Sequence, residues 1–286
     1  MSQAIGVIGL GTMGSAMSSN LVKAGFGVQG YDVAPKARAR LRQAGGKAVS
    51  SIAGIDAAVV ITSLPSAKAL HDVSNELKGR RVVLETSTLP IEEKERARAT
   101  LAKKGITLLD CPLSGTGAQA RARDLVVFAS GERKAFERAK PFLPGFSRAH
   151  YYLGAFGNGS RMKFVANLLV AIHNVSTAEA FVLGMKAGLA PKTIYEVMAN
   201  SAGSSRMFQV RGPQMVAGRY GEATISVELF QKDMKIIGEF AAALGAPTPL
   251  FNASAALYNA AMGMGHARED TASVCAVLER MGGVRR

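Results

Sequence analysis

Near the N-terminus, Gly9-Leu10-Gly11-Thr12-Met13-Gly14 fits the spacing G-x-G-x-x-G. It lies between a predicted strand, Ala4 to Gly9, and a predicted helix reaching about Lys23. The chemistry open to such a segment is the cradling of a dinucleotide pyrophosphate. The first glycine permits the tight turn, the second lets backbone approach the phosphates, and the third lets helix pack on strand. The helix N-terminus adds free N–H groups and positive dipole. A chain with 31 glycines could form such a turn by chance. Asp32 argues otherwise: it ends the next predicted strand, Gly27 to Asp32, close to the ~20-residue offset of a carboxylate that holds the adenosine ribose. An acidic side chain there bonds the 2′-hydroxyl and repels a 2′-phosphate, so NAD is expected over NADP. Lys36, Arg38 and Arg40 follow closely; they form a solvated helix face or accommodate that phosphate.

Further along, Lys163 stands near the start of a helix predicted from about Gly159, with Asn167 one turn beyond on the same face. A lysine at a helix start is most often a solvated charge. Buried at the helix's positive end, beside a cationic ring, it would favour its neutral form and accept a hydroxyl proton. Asn167 could reach the same ligand or bond to a neighbouring helix. Ser114 and Gly115 follow Pro112 just past a predicted strand end, where a hydroxyl and free N–H groups cradle a carboxylate or simply make a turn. Leu64-Pro65 and Ser87-Thr88 also follow predicted strands.

The elements that must carry these residues differ between the halves of the chain. Apolar runs at Ala4 to Gly9, Gly27 to Asp32, Ala57 to Thr62, Arg81 to Glu85, Ile106 to Asp110 and Leu125 to Ala129 alternate with helical patterns. That rhythm predicts a doubly wound, mostly parallel α/β sheet, a Rossmann domain over residues 1–160. Gly25 and Gly105 are natural left-handed stops after two of its helices. From about Gly159 the strand pattern gives way to Ala, Leu, Met and Val at helical spacing, predicting an all-α domain over 161–286. Breaks are expected at Gly188 to Pro191, at Gly212 and Pro213, at Gly218 to Gly221, and at Gly245 to Pro249. A helix starting near Gly159 would join the two domains and bring its first residues to a ligand cleft.

Composition narrows the function classes. The 286 residues are 48% hydrophobic and 20% charged, an ordered globular composition. No stretch of about 18 residues runs free of polar interruption, and the richest, Phe164 to Val175, contains Asn167, His173 and Asn174. With no basic leader ahead of Ile5, a cytoplasmic, non-membrane protein is expected. Two cysteines, Cys111 and Cys275, are too few for a disulfide framework, and no metal site is expected. The net charge of +14 is spread through Lys36 to Arg42, Arg80 to Lys104 and Arg121 to Arg138 without interleaved aromatics, and Trp is absent. That suits a basic, solvated surface attracting acidic metabolites, not nucleic acid.

Taken in order, the glycine motif, Asp110-Cys111-Pro112-Leu113-Ser114-Gly115 and Gly157-Asn158-Gly159-Ser160-Arg161-Met162-Lys163 resemble the β-hydroxyacid dehydrogenases, the 3-hydroxyisobutyrate dehydrogenase family. Lys232-Asp233-Met234 and Gly263 to Ser273 extend the likeness over nearly the full length. The resemblance implies hydride transfer between NAD(P) and a short 3-hydroxy-carboxylate of the 3-hydroxyisobutyrate, tartronate semialdehyde or threonate type. It makes Lys163 the general acid and base. Ser114, Gly115, Thr116 and Asn167 would hold substrate, while Lys232 would approach the cofactor from the helical domain and Leu64, Pro65 and Thr88 would line the cofactor site. It also implies that the helical domain over 161–286 serves substrate binding and oligomerisation, in a homodimer or homotetramer whose helical domains make most contacts. Thr116 replaces the family's usual second glycine and would narrow the carboxylate loop. Ala166 replaces the first of two usual asparagines, and Arg123-Asp124 stands where Gly-Thr is common. Related imine reductases usually lack the lysine, so Lys163 counts against that chemistry. A non-catalytic dinucleotide-binding module would predict a degraded lysine motif.

Overall fold

The computed structural model describes residues 3–221 and 223–285, which fall into two compact units divided between Lys163 and Phe164. The first unit begins with β1 (Ala4–Ile8), α1 (Thr12–Lys23), β2 (Gly27–Tyr31), α2 (Pro35–Gln43) and the short β3 (Lys47–Ala48). It continues with β4 (Val59–Thr62), α3 (Ala67–Glu76), β5 (Val82–Glu85), α4 (Ile91–Ala102) and β6 (Thr107–Asp110). These six strands form one parallel sheet in the order β3-β2-β1-β4-β5-β6. The strand order reverses between β1 and β4, and in such a Rossmann sheet ligands bind outside the carboxyl ends of the strands at that point.

The sequence builds this sheet because its central strands are apolar up to a single polar residue at their carboxyl ends, Thr62 and Glu85. Val59–Thr62 and Val82–Glu85 are buried throughout, as parallel strands covered on both faces by their crossover helices must be. Alternate residues feed two cores: Ile5, Val7, Ile61 and Leu84 pack on one face, and Ile8, Val60, Val83 and Leu108 on the other. Gly25 and Gly105 take positive φ after α1 and near the end of α4, as expected of helix stops.

Leu125 to Ala129 departs from the single parallel sheet that the sequence rhythm suggests. After β7 (Leu113–Ser114) and α5 (Gly117–Arg121), β8 (Val126–Ala129) runs antiparallel to β7, and after α6 (Arg133–Ala139) it pairs in parallel with β9 (Ala149–Tyr152). The cause is local: Asp110 and Ser130 exchange backbone hydrogen bonds of 3.0 and 2.8 Å, so β8 meets β6 end to end and not along its length.

The helical region comprises α7 (Asn158–Lys186), α8 (Pro191–Met198), α9 (Arg206–Ala217), α10 (Val227–Ala243), α11 (Pro249–Gly263) and α12 (Val274–Gly282). The break expected at Gly212 and Pro213 does not occur, since α9 runs through both. Pro213 cannot donate to the carbonyl of Gln209, but the Tyr195 hydroxyl donates to that oxygen at 3.1 Å. The Tyr195 ring also lies 2.5 Å from where a Cβ on Gly212 would stand, so glycine is required for the ring to reach. By length and composition alone, α7 is apolar enough to cross a membrane, with a mean hydropathy of 1.5 in its richest window. Its Asn167 and Asn174 are nevertheless buried and donate to Asp233 and Tyr258 of the second unit.

Candidate functional site

At the carboxyl ends of β1, β2, β4 and β5 the structure gathers the glycine motif, Asp32, Leu64 and Ser87. Each glycine has its own reason. Gly9 has φ +88°, and a Cβ there would stand 2.1 Å from the Ser63 carbonyl oxygen. A Cβ on Gly14 would meet the Gly9 carbonyl oxygen at 1.8 Å, so α1 can pack against the strand only with glycine at this position. Gly11 differs: a Cβ there meets nothing within 4 Å, and the residue is exposed at the start of α1. The open side of the loop, with the first-turn amides of α1 and Thr12 and Met13 beside it, fits a pyrophosphate that approaches backbone closely.

Asp32 acts as a bracket for this loop. One carboxylate oxygen accepts the Leu10 N–H at 2.6 Å and the other accepts the Ala34 N–H at 2.7 Å. Each oxygen keeps a further lone pair with which to accept a ribose hydroxyl. Arg38, one of the cations that could have met a 2′-phosphate, instead donates to the carbonyl of Asp32 at 2.5 Å and lies over the Tyr31 ring. Across the sheet, Leu64 N–H donates to the Ser87 hydroxyl at 2.9 Å, which ties the loops after β4 and β5 together. Pro65 is exposed and Thr88 half-buried in those loops.

The Ser114–Thr116 segment turns at Gly115, φ +135°, where a Cβ would stand 2.7 Å from Leu125. Thr116 caps α5. Its hydroxyl accepts the Gln119 N–H, and the Gln119 side chain accepts the Thr116 N–H at 3.0 Å, a reciprocal capping box. Gln119 then donates to Asp124, which pairs with Arg148 at 2.7 Å. The threonine in place of a second glycine thus has a structural use: it stiffens the loop and takes up its own N–H. Ser114 and Gly115 carry the remaining polar groups of the turn.

Lys163 is only 9% exposed. The helix that carries it starts on an ionic network that sequence reasoning did not find. Lys94 Nζ lies 2.7 Å from Glu85 Oε2 and 2.8 Å from Asp110 Oδ1, with all three side chains fully buried. The two carboxylates hold Lys94 as a cation, with its pKa raised above the ordinary lysine value despite burial, the largest opposing effect. Asp110 also accepts the Ser160 N–H at 2.7 Å and the Ser160 hydroxyl at 2.8 Å. The positive end of α7 is therefore already met by a carboxylate, which the sequence reading did not anticipate. Next to it, burial and then the Asp110 charge push the Cys111 thiol well above its usual range, which keeps it protonated.

In the second unit, the alternative left open for Asn167 is resolved in part: its amide donates to Asp233 Oδ2 at 2.9 Å, a bond between helices α7 and α10. Lys232 lies 3.3 Å from the other oxygen of Asp233. Asp233, not singled out as a site residue from the sequence, is the buried carboxylate joining the two. Among the described residues no group of three or more His, Cys, Asp or Glu side chains could hold a metal.

Residues 4–154 match the family described as the NAD binding domain of 6-phosphogluconate dehydrogenase, and residues 157–278 match the NAD-binding region of NADP-dependent 3-hydroxyisobutyrate dehydrogenase. The L-threonate dehydrogenase of Cupriavidus necator is 33% identical over 288 residues, covering 97% of each chain. The 3-hydroxyisobutyrate dehydrogenase of Pseudomonas aeruginosa is 33% identical, over 86% of this chain and 88% of that one. A crystal structure of 3-hydroxyisobutyrate dehydrogenase from Salmonella typhimurium superposes with a TM-score of 0.87 at 29% identity, covering 96% of this chain and all of that one.

Proposed function

This chain belongs to the β-hydroxyacid dehydrogenases, NAD-dependent oxidoreductases of the 3-hydroxyisobutyrate dehydrogenase type, and on that footing we propose that it interconverts a short 3-hydroxy-carboxylate and its carbonyl acid with Lys163 as the proton-transfer group. The observation that carries this reading is the burial of Lys163, in the motif Gly157 to Lys163, at the start of a helix anchored to the sheet. Lysines are seldom buried, so a buried one in this motif points to a role beyond solvation.

When bound, the nicotinamide supplies the hydride acceptor. The chain's own residues do the rest. Gly9, Leu10, Gly11, Thr12, Met13 and Gly14 receive the pyrophosphate, and Asp32 accepts from the ribose. Leu64, Pro65, Thr88 and Lys232 complete the cofactor's surroundings. Ser114 and Gly115 hold the substrate carboxylate, with the Thr116 hydroxyl able to donate once its lone pair has taken the Gln119 amide. Asn167 orients the substrate, and its bond to Asp233 holds the amide in one orientation. Lys163 Nζ takes the substrate hydroxyl proton as the C–H hydride leaves, and returns it in the reverse direction.

We place substrate preference among small anionic acids of the L-threonate and 3-hydroxyisobutyrate type, with NAD preferred over NADP because the Asp32 carboxylate would repel a 2′-phosphate and Arg38 is turned to backbone. A homodimer or homotetramer built through the helical unit is supported by the exposed Leu183, Leu189, Leu244 and Leu250. Cys111 and Cys275 are both buried, which suits a reducing, cytoplasmic setting. The test follows absorbance of the reduced nicotinamide with NAD or NADP against L-threonate, 3-hydroxyisobutyrate and tartronate semialdehyde. Lys163→Ala should lower turnover by ~100-fold or more and leave NAD affinity nearly intact; wild-type turnover in that variant would end the assignment.

A further inference from the structure

The buried network at the start of α7 serves more than the fold. Glu85 and Asp110 are paired positions on neighbouring parallel strands, so two carboxylates stand side by side at the carboxyl edge of the sheet with Lys94 between them. Burying three charges costs desolvation that their attraction hardly repays, and apolar residues of similar size would stabilise the fold as well or better. What such a network does supply is a fixed direction for the groups bonded to it.

Here those groups belong to the first turn of α7. Asp110 grips Ser160 twice, through its N–H and its hydroxyl. Gly159 N–H donates to the Ser130 hydroxyl at 2.9 Å. A Cβ on Gly159 would stand 2.4 Å from the Phe128 carbonyl oxygen and 2.7 Å from that of Asp110, so this turn is pressed onto the ends of β8 and β6 with no room to slide. Lys163 lies three residues beyond Ser160 and four beyond Gly159, on the face of the helix that these bonds hold.

We infer that Glu85, Lys94, Asp110 and Ser160 form a positioning device that fixes the start of α7 and thereby the place of the Lys163 amine. None of the four touches the reacting atoms. Lys94 aims the Asp110 carboxylate, and Asp110 holds Ser160. The inference rests on the reading of Lys163 as the proton-transfer group.

The test compares wild type with Asp110→Asn, Ser160→Ala and Lys163→Ala, all well below their melting temperatures. Asp110→Asn leaves Lys94 paired with Glu85, and Ser160→Ala removes a single hydroxyl, so both are expected to fold. With a hydroxy acid that the wild type turns over, both network variants should lose about 10-fold or more in kcat, as expected when a catalytic group is misplaced by a fraction of an ångström to 1 Å. The KM for NAD should be unchanged, and the solvent deuterium isotope effect on kcat should rise as proton transfer becomes slower. Hydrogen exchange, which needs no substrate, should accelerate at the amides of residues 158–163. A purely structural role would lower the melting temperature and leave the isotope effect alone. Wild-type kcat and exchange in both network variants beside an inactive Lys163→Ala overturns the inference by itself. Full turnover in Lys163→Ala overturns the reading beneath it, and the inference with it.

Discussion

Substituting alanine at Gly11 and at Gly14 separates ligand space from packing space within one six-residue loop. Gly11 is the N-cap of α1 with φ −67° and ψ −161°, a backbone open to alanine, and its Cβ direction is empty to 4 Å. Alanine is the poorer cap by some tenths of a kcal/mol, while the stiffer unfolded chain returns about 0.4–1 kcal/mol. Gly11→Ala should therefore alter stability by no more than ~0.5 kcal/mol, under about 2 °C in Tm. The same methyl intrudes where phosphate must approach. Loss of one charge-assisted hydrogen bond, worth about 1.5–3 kcal/mol, weakens binding roughly 10- to 150-fold. Gly14→Ala should do the reverse. Its Cβ would sit 1.8 Å from a backbone oxygen that cannot rotate away, so α1 must lift from β1. Overpacking of that kind costs about 1–3 kcal/mol or more, several degrees of Tm. Fluorescence titration with NADH and thermal melts on both variants measure the two quantities. Wild-type NADH affinity in Gly11→Ala would refute the pyrophosphate assignment, and an unchanged Tm in Gly14→Ala would refute the packing argument.

Asp32→Ala frees the amides of Leu10 and Ala34 as well as the ribose site, so NAD affinity should fall and the ratio of NAD to NADP affinity should narrow; equal losses for both cofactors would show that Asp32 only braces the loop. Glu93 accepts from or shares a proton with His71 at 2.6 Å, and that hydrogen bond, ahead of the nearby Arg96 charge, lowers its pKa. Its stabilisation is therefore present above the unfolded carboxylate's value of about 4.3 and is lost as pH falls through the lower folded value. Thermal melts of wild type and Glu93→Gln should differ near neutrality and converge in acid, and a constant gap down to strong acid would contradict this sign.

What the amino-acid sequence determined by itself was whatever depends on neighbours along the chain. The apolar runs and their spacing specify strands alternating with helices, and the glycine spacing specifies a turn that only glycine can make. Gly9 and Gly14 are dictated by contacts of that turn, which is why the motif reads so directly. Helix periodicity likewise put Lys163 and Asn167 on one face. Tertiary structure alone decided the roles that depend on distant partners. Lys94 reads as one more cation in the charged stretch Arg80 to Lys104, yet it is buried because Glu85 and Asp110 come to it from two strands. Ser160 is an unremarkable helix residue until Asp110, fifty positions earlier, takes both its donors. Pro213 signals a break by every local rule, and α9 continues because the Tyr195 hydroxyl reaches the orphaned carbonyl. Local sterics and periodicity act over a turn or a strand and are written in adjacent letters, whereas a buried charge or an orphaned carbonyl finds its partner only after the chain has folded back on itself.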